Sequence, residues 1–256
     1  MKKVLCKFAF GAIVLGFSFL SVSCTERGDG VIITSERTVS AFHQINSSGV
    51  AEVRFFVSDE HRVIVTVDSN LDQFVQITTR NGVLDIDTRS GRSYRFTRFV
   101  VEVHSPALTN VTMSGSGSFF GEDKIVTPNF HAVLSGSGRM EGTFETETFS
   151  ARLSGSGRLG AAVETNEFSA TVSGSGRIVA NGNSESTELT ISGSGNFDGN
   201  NFNTTSATVT ISGTGNVNIC VEESLNARIS GSGSVNYCGN PTVNANVTGT
   251  GRVRPM

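Results

Sequence analysis

The sequence predicts an all-β fold, a right-handed parallel β-helix whose coils contain about 18–21 residues each. The first observation is a four-residue motif, Ser-Gly-Ser-Gly or a Thr variant of it, that occurs eight times at intervals of 18 to 21 residues. The second is a regular alternation of apolar and polar residues around each motif, which is typical of β-strands. Crossovers between parallel strands are almost always right-handed, which sets the predicted hand. The motifs begin at Ser114, Ser135, Ser154, Ser173, Ser192, Ser212, Ser230 and Thr248.

The N-terminal segment 1–24 has the features of an export signal. A basic start precedes an apolar run, and small residues stand directly before Cys24. This arrangement resembles a bacterial lipoprotein signal, in which Cys24 is lipidated and becomes the first residue of the mature chain. The alternative is an ordinary secretory signal that is cut near the same place. Residues 25–30 are then predicted to be a short tether before the domain of residues 31–256.

Residues 31–108 are predicted to be an irregular, hairpin-rich N-terminal part of the solenoid. Several runs in this region alternate apolar and polar residues, as strands with one buried face do. Asn81-Gly82 stands between two such runs and is the strongest short signal for a β-hairpin. Residues 47–49 look like a degenerate copy of the later motif.

Residues 109–256 are predicted to be the repetitive solenoid. The positions one and three residues before each motif, and five residues after its first residue, are apolar in all eight repeats. These positions share one face of an extended chain, which we assign to the interior. By the same parity, both glycines of every motif are expected to point inward, where no Cβ fits. The serines are expected to form two outward columns with hydroxyls about 4.8 Å apart, close enough to hydrogen-bond.

Charge and residue usage argue against several functional classes. Without segment 1–24 the chain has 17 basic and 23 acidic residues, a net charge of −6, which does not favour nucleic-acid binding. We expect no cofactor, no metal site at the widely spaced histidines and no catalytic cluster. Glu145 and Glu164 share a position on adjacent coils and could serve as the carboxylate pair of a glycan-active enzyme. The alternative is a solvated acidic edge.

Two groups of arginines are candidate binding residues. Arg139, Arg158 and Arg177 each follow the first residue of a motif by four positions, so they occupy one outward column on three consecutive coils. Like charges at this spacing need counter-anions, which neighbouring glutamates or an acidic partner could supply; simple solvation is the alternative. A second basic run, within residues 89–98, is predicted to be an exposed loop, with lipid headgroups or an acidic surface polymer as alternative contacts.

The two cysteines of the solenoid are predicted to form a disulfide. Cys220 and Cys238 each lie eight residues after the first residue of a motif, and therefore in the same column on consecutive coils. Equivalent Cα atoms of adjacent strands are about 4.8 Å apart, which a disulfide can bridge. Export places the pair where oxidation is favoured. A stacked pair of free thiols is the alternative.

Several segments of the chain together resemble one protein family. They are Ala41-Phe42 to Ile45, Val53–Val57, the Asn81–Ile86 hairpin, Val101–Leu108 and the ladder of Ser-Gly-Ser-Gly motifs. The combination is similar to the putative auto-transporter adhesin, head GIN domain family. The resemblance implies a right-handed parallel β-helix in an exported bacterial protein. The family has no established catalytic motif, so the resemblance implies no catalytic residues.

The sequence therefore favours a non-enzymatic cell-envelope lipoprotein, an adhesin-like protein that presents a repetitive polar face to a partner. We expect a lipid on Cys24 to anchor it in the outer membrane, on the periplasmic side or at the cell surface. The expected partner is an unidentified protein or glycan, and not a nucleic acid. The strand edge left open at the C-terminal coil could also be a contact in a homo-oligomer. A glycan-active β-helix enzyme and a purely structural envelope protein are the alternatives.

Overall fold

The computed structural model describes residues 25–256, so the expected signal segment 1–24 and the lipidation site Cys24 lie outside the described residues. The described chain is almost entirely β-strand, with one short 3-10 helix at Asp72–Phe74. The strands are β1 (Thr25–Arg27), β2 (Ile32–Arg37), β3 (Gln44–Gly49), β4 (Glu52–Val57), β5 (Arg62–Asp68), β6 (Val75–Arg80), β7 (Val83–Thr88), β8 (Ser93–Arg95), β9 (Phe99–Ser105), β10 (Asn110–Gly115), β11 (Ser118–Val126), β12 (Asn129–Gly136), β13 (Arg139–Gly155), β14 (Arg158–Gly174), β15 (Arg177–Gly193), β16 (Asn196–Gly213), β17 (Asn216–Gly231), β18 (Ser234–Cys238), β19 (Thr242–Gly249) and β20 (Arg252–Pro255).

The predicted β-solenoid is confirmed by the pairing of strands in the repetitive region. From β10 to β20 every pairing is parallel, and each motif aligns with the next, so that Ser135 pairs with Ser154 and Ser154 with Ser173. The strands β13 to β17 have 16 to 18 residues, nearly one whole coil each. The period of the motif is therefore the length of one coil.

The chain turns at the motif, and β14 has a second irregular point within the coil. There two neighbouring residues, Asn166 and Glu167, are both exposed, so that the alternation of burial shifts by one and the strand bends. Thr165 is buried at this bend, and its hydroxyl donates a hydrogen bond to the carbonyl oxygen of Glu147 (2.9 Å). A buried hydroxyl satisfies a backbone carbonyl that the bend removes from the strand ladder.

The core of the solenoid is a continuous apolar column. Phe130, Phe149 and Phe168, each five residues before a motif, are fully buried on consecutive coils. The ring centroids of Phe130 and Phe149 are 5.8 Å apart, and those of Phe149 and Phe168 are 5.5 Å apart, with the rings nearly parallel. Because phenylalanine recurs at this position on three consecutive coils, each of these rings packs on the one before it, and the stack helps to hold the three coils together. The next two coils have Thr187 and Ala207 at the same position.

The two glycines of each motif have different backbone conformations and surroundings, which corrects the expectation that both point inward. The second glycine, such as Gly157, is buried, as predicted. The first glycine, such as Gly155, is exposed and has a φ of +115°. Parity reasoning assumes an extended chain, and the chain turns at the first glycine with a backbone conformation that favours glycine. A Cβ on Gly155 would also meet the backbone of the preceding coil.

The N-terminal region is irregular, as predicted. β6 and β7 form the expected antiparallel hairpin around Asn81 (φ 51°) and Gly82 (φ 77°). β3 pairs in parallel with β10, and Ser48-Gly49 aligns with Ser114-Gly115, which confirms a degenerate first copy of the motif. β4 and β5 are not partners of each other, because β9 lies between them, parallel to β4 and antiparallel to β5.

Residues 25–30 are bound to the domain, which corrects the expectation of a tether. β1 pairs in parallel with β8, and the Gly28 amide donates to the carbonyl oxygen of Arg95 (2.9 Å). The Gly30 amide donates to the carboxylate of the fully buried Asp68 (3.0 Å). The contacts that fix this segment come from residues 38 to 68 positions away in sequence, so no local sequence pattern predicts them.

The two ends of the solenoid differ in how they finish. Within residues 25–256, β19 pairs only with β17 and β20 only with β18, so the last coil leaves a strand edge open. Val243 and Val247 on this coil are 36% and 38% exposed. The opposite end is closed by the antiparallel strands β2, β5, β6 and β7. Among residues 25–256 no helix has the length and apolar character needed to span a bilayer.

Candidate binding face

The arginine column predicted from the sequence exists as a line of aligned residues. Arg139 pairs with Arg158 across β13 and β14, and Arg158 with Arg177 across β14 and β15. All three side chains are exposed. Neighbouring strands are about 4.8 Å apart, so three guanidinium groups carry positive charge on a short line. The column continues beyond Arg177 with the neutral residues Asn196 and Asn216.

The three arginines differ in their partners. Arg139 forms an ion pair with Glu141, with its Nε atom 2.7 Å from a carboxylate oxygen. In the described part of the chain, the side chains of Arg158 and Arg177 form no hydrogen bond or ion pair. Glutamates on the same chain therefore neutralise one arginine of the column and leave two positive charges for an external anion.

A column of hydroxyl groups runs beside the arginines. It consists of the third residue of each motif, and every member is exposed. Some members hydrogen-bond along the axis, as expected: the hydroxyls of Ser137 and Ser156 are 3.1 Å apart, and Thr214 donates to Ser194 (3.0 Å). The hydroxyl of Ser175 has no partner among the described residues. The members are Ser116, Ser137, Ser156, Ser175, Ser194, Thr214, Ser232 and Thr250.

We call these two columns together the polar stripe. Its centre is Ser175 with Arg158 and Arg177, where three side chains with hydrogen-bond donors have no partner in the described structure. An open groove of about 450 Å³ adjoins Arg158 on the side away from the hydroxyl column, and the carboxylates of Glu122 and Glu141 form part of its lining. An anion is therefore expected along the exposed stripe and not in this groove, because guanidinium and hydroxyl donors are the groups that bind carboxylate, sulfate or phosphate.

Glu145 and Glu164 are also aligned on adjacent coils, as predicted. Each carboxylate has a different partner: Lys124 Nζ lies 2.6 Å from Glu145, and the Asn183 amide donates to Glu164 at 3.0 and 3.1 Å. Two carboxylates that are separately held by a cation and an amide are a poor acid/base pair, because catalysis needs one of them to exchange protons with a substrate. The arrangement has the features of a structural acidic edge.

Cys220 and Cys238 are joined by a disulfide in the structure, with their Cα atoms 4.4 Å apart. They are direct register partners on β17 and β18. The bond links consecutive coils near the open C-terminal end, away from the polar stripe centre. It is therefore a structural bond between coils.

The histidines are not grouped around a common centre in the described structure. Among residues 25–256, no group of three or more His, Cys, Asp or Glu side chains is placed to hold a metal ion. His104 stacks on Phe56 with ring centroids 5.0 Å apart, and His61 packs on Phe42 at the same distance. These histidines act as aromatic packing residues on the N-terminal region.

Asp68 is a buried carboxylate that the sequence analysis does not identify. Its oxygens accept hydrogen bonds from the amides of Gly30 (3.0 Å), Thr97 (2.8 Å) and Arg98 (3.4 Å). Burial by itself raises the pKa of Asp68, but these hydrogen bonds outweigh it and lower the pKa below its ordinary value. An Asp at the end of an apolar strand is the only local signal, and it does not specify the partners. The role of Asp68 is to clamp the N-terminal segment.

Comparisons with known proteins identify relatives of the whole domain. A family model described as putative auto-transporter adhesin, head GIN domain, matches residues 41–241, which confirms the resemblance seen in the sequence. No curated protein sequence matches the chain.

Solved structures share the fold over nearly the whole chain. A putative adhesin from Parabacteroides merdae has a TM-score of 0.87 and 25% identity, covering 91% of this chain and 99% of its own. A putative lipid binding protein from Parabacteroides distasonis has a TM-score of 0.88 and 24% identity, covering 91% and 100%. A putative adhesin from Bacteroides fragilis has a TM-score of 0.70 and 19% identity, covering 90% and 100%. The β-solenoid is thus shared among these proteins.

Proposed function

Because the chain belongs to the putative auto-transporter adhesin, head GIN domain family, we propose that it is a non-enzymatic adhesin of the cell envelope. In this proposal the polar stripe binds an acidic polymer, such as a glycan that carries carboxylate or sulfate groups. The observation that carries the proposal is the pair Arg158 and Arg177, two exposed neighbouring cations without a partner in the described structure.

The chemistry of the stripe supports a repeating anionic ligand. Charges about 4.8 Å apart along one line match a polymer that presents anions in series better than a single small anion. A hydroxyl column beside the cations supplies donors for the sulfate or carboxylate oxygens that the arginines leave free. Exposed ion pairs are individually weak, so affinity in this proposal comes from several contacts at once.

Attachment to the envelope is the second part of the proposal. We propose that Cys24 is lipidated after export and that the lipid holds the protein in the outer membrane. The support is the order of basic, apolar and small residues before Cys24, together with a family of exported proteins. Metabolic labelling with radioactive palmitate tests it: label should enter the wild-type protein and be absent from the Cys24→Ala variant. Equal label in both would contradict it.

Binding by the stripe is tested with a panel of acidic and neutral glycans. We expect Arg158→Gln/Arg177→Gln to weaken binding to the acidic glycans about tenfold or more, which corresponds to about 1.4 kcal/mol. The matched control is Arg152→Gln/Arg228→Gln. It removes two exposed arginines that lie two residues before a motif and are not part of the polar stripe. Equal losses in both double variants would indicate a general charge effect and contradict a specific stripe.

The glycan-active enzyme remains the second candidate function, on the alignment of Glu145 with Glu164. It predicts release of reducing ends from some acidic glycan and loss of that activity in Glu164→Gln. We favour the adhesin because Lys124 and Asn183 already occupy the two carboxylates. The adhesin proposal predicts that the protein binds acidic glycans of the panel and hydrolyses none of them. If the protein neither binds nor hydrolyses any glycan of the panel, a structural role in the envelope is left.

A further inference from the structure

The surface next to the first described residues is apolar and exposed. Val31, Ile32 and Ile33, which follow directly on segment 25–30, are 59%, 39% and 36% exposed. Val50, from the loop after β3, is 50% exposed. Ile32 and Ile33 are neighbours on β2 and point to opposite faces of the strand, so Ile32 and Val50 are the aliphatic residues that share one surface. Exposed aliphatic side chains grouped in this way favour an interaction, because burying them in an apolar environment is favourable.

A basic loop borders the same surface. Residues 89–98 contain four exposed arginines and no acidic residue, although the chain without segment 1–24 carries a net charge of −6. Arg92 forms an ion pair with Glu26 on β1, which ties the loop to the start of the chain. Arg95 and Arg98 line an open groove of about 740 Å³ together with Ile32 and Val50. Cations and exposed aliphatic side chains therefore share one surface.

We propose that this N-terminal surface, formed by Ile32, Val50 and residues 89–98, docks on a bilayer that contains anionic phospholipids. Interfacial membrane binding combines aliphatic side chains that enter the headgroup region with basic side chains that contact anionic lipids. Thr25, the residue after Cys24, already belongs to β1 and is bound to β8. A lipid on Cys24 would thus hold this surface at the membrane with no slack chain between them.

Docking at this end sets the orientation of the solenoid. Ten strands stack from β7 through β3, β10, β12 and β13–β17 to β19, a length of roughly 43 Å at 4.8 Å per strand. The C-terminal coil would then stand away from the membrane, and the polar stripe would run outward along the side. The orientation rests on the proposed attachment at Cys24, whereas docking of the surface does not require the lipid.

The docking is tested without the lipid, so that it is independent of palmitate labelling. The test uses a chain that starts at Thr25, because all described strands lie in residues 25–256. This chain is sedimented with vesicles made of phosphatidylcholine alone, or of phosphatidylcholine that contains about 30% phosphatidylglycerol. Each arginine near an anionic surface strengthens partitioning about fivefold. We expect binding to the anionic vesicles only, reduced at least tenfold in Arg95→Gln/Arg98→Gln and unchanged in Arg152→Gln/Arg228→Gln.

Three results would overturn the docking proposal. The first is equal binding of the protein to both kinds of vesicle, and the second is an equal loss of binding in the two double variants. The third is binding of soluble dextran sulfate that depends on Arg95 and Arg98, in a protein that does not bind anionic vesicles. The last result would assign the surface to an acidic glycan instead. If the wild-type protein takes up no palmitate in the cell, or no more than the Cys24→Ala variant, but binds vesicles in vitro, the anchor at Cys24 is refuted and the docking surface is kept.

Orientation is read from single tryptophans, because the chain has no Trp of its own. Ser90→Trp places the probe on the basic loop, and Asn246→Trp places it on the exposed last coil. With dansyl-labelled lipid in anionic vesicles, we expect energy transfer from the Ser90→Trp variant and at least a fivefold smaller transfer from Asn246→Trp. Equal transfer from both would mean that the solenoid lies flat, and would overturn the proposed orientation.

Discussion

Gly155 lies so close to Gly136 on the preceding coil that a Cβ added to Gly155 would be 2.5 Å from the Gly136 carbonyl oxygen. The same relationship recurs along the solenoid, because the first glycine of each motif faces the first glycine of the coil before it. Two independent constraints therefore act at this position: a positive φ and a backbone contact along the axis. Glycine is therefore required here by the backbone turn and by the stacking of coils. It is not required by contact with the interior of the coil, which the alternation of side chains alone suggests.

Substitution of Gly155 should destabilise the solenoid. We expect Gly155→Ala to lower the free energy of unfolding by about 1–3 kcal/mol and Gly155→Val by more, because the side chain is strained and contacts backbone. Gly160→Ala is the matched control, since its Cβ would lie 3.5 Å from the nearest atom and its φ is not positive. The measurement is thermal and denaturant unfolding. An unchanged midpoint for Gly155→Val would contradict the assignment.

The phenylalanine stack gives a second prediction. Phe149→Ala removes the ring that lies between Phe130 and Phe168, and should cost about 3–5 kcal/mol through lost burial and a cavity. Val126→Ala is the control, because Val126 is 62% exposed and should change stability by about 0.5 kcal/mol or less. Chemical denaturation measures both variants. Similar midpoints for the two would show that the stack does not stabilise the solenoid.

The disulfide should stabilise the C-terminal coils. Cys220 and Cys238 are 18 residues apart, and closing a loop of that length contributes up to about 3 kcal/mol in the chain-entropy model. We expect Cys220→Ser/Cys238→Ser to lower the unfolding midpoint, and reductant to lower that of the wild-type protein to the same value. Intact-mass analysis after alkylation without reductant checks the bond. Two alkylated cysteines and no effect of reductant would show that it is absent.

The clamp at Asp68 should make stability depend on acid pH. Because the pKa of Asp68 is lowered in the folded state, its contribution is complete above the unfolded value of about 3.9 and is lost as pH falls through the folded value. At neutral pH we expect Asp68→Asn to cost about 1–3 kcal/mol, since the amide nitrogen cannot accept hydrogen bonds. The gap between the two proteins should close below about pH 4.

The measurement for this clamp is denaturant unfolding between pH 2 and 7. Asp59→Asn, at an exposed carboxylate, is the control and should behave as the wild-type protein does at each pH. A gap between Asp68→Asn and the wild-type protein that stays constant from pH 7 to pH 2 would contradict a stabilising charge. Proteolysis near residues 25–30 should also become faster in Asp68→Asn, since Gly30 loses its acceptor.

The repeated parts of the fold could be predicted because they follow from local rules. The motif marks the same corner in every coil, so its period determines the register of Ser135, Ser154 and their equivalents. The Asn81-Gly82 hairpin was recognisable because its turn chemistry is contained in two residues. Where a side chain follows the alternation, as Arg158 does, the column it belongs to could be assigned from counting alone.

The remaining features depend on contacts that counting does not capture. Gly155 departs from its parity because the chain turns there. Lys124 reaches Glu145 because a bulge between Phe120 and Lys124 shifts the register of β11 against β13. The charge state of the stripe likewise depends on which glutamates contact which arginines. Only the structure distinguishes the paired Arg139 from the two arginines that are left for a ligand.

If Arg158 and Arg177 bind an acidic polymer outside the cell, they should determine which surfaces the cell adheres to. This is measured as the adhesion of cells that produce the full chain to surfaces coated with dextran sulfate or with neutral dextran. We predict adhesion to dextran sulfate only, weakened by salt, reduced about tenfold in Arg158→Gln/Arg177→Gln and retained in Arg152→Gln/Arg228→Gln. Equal adhesion to both surfaces, or equal adhesion of the two double variants, would contradict the claim.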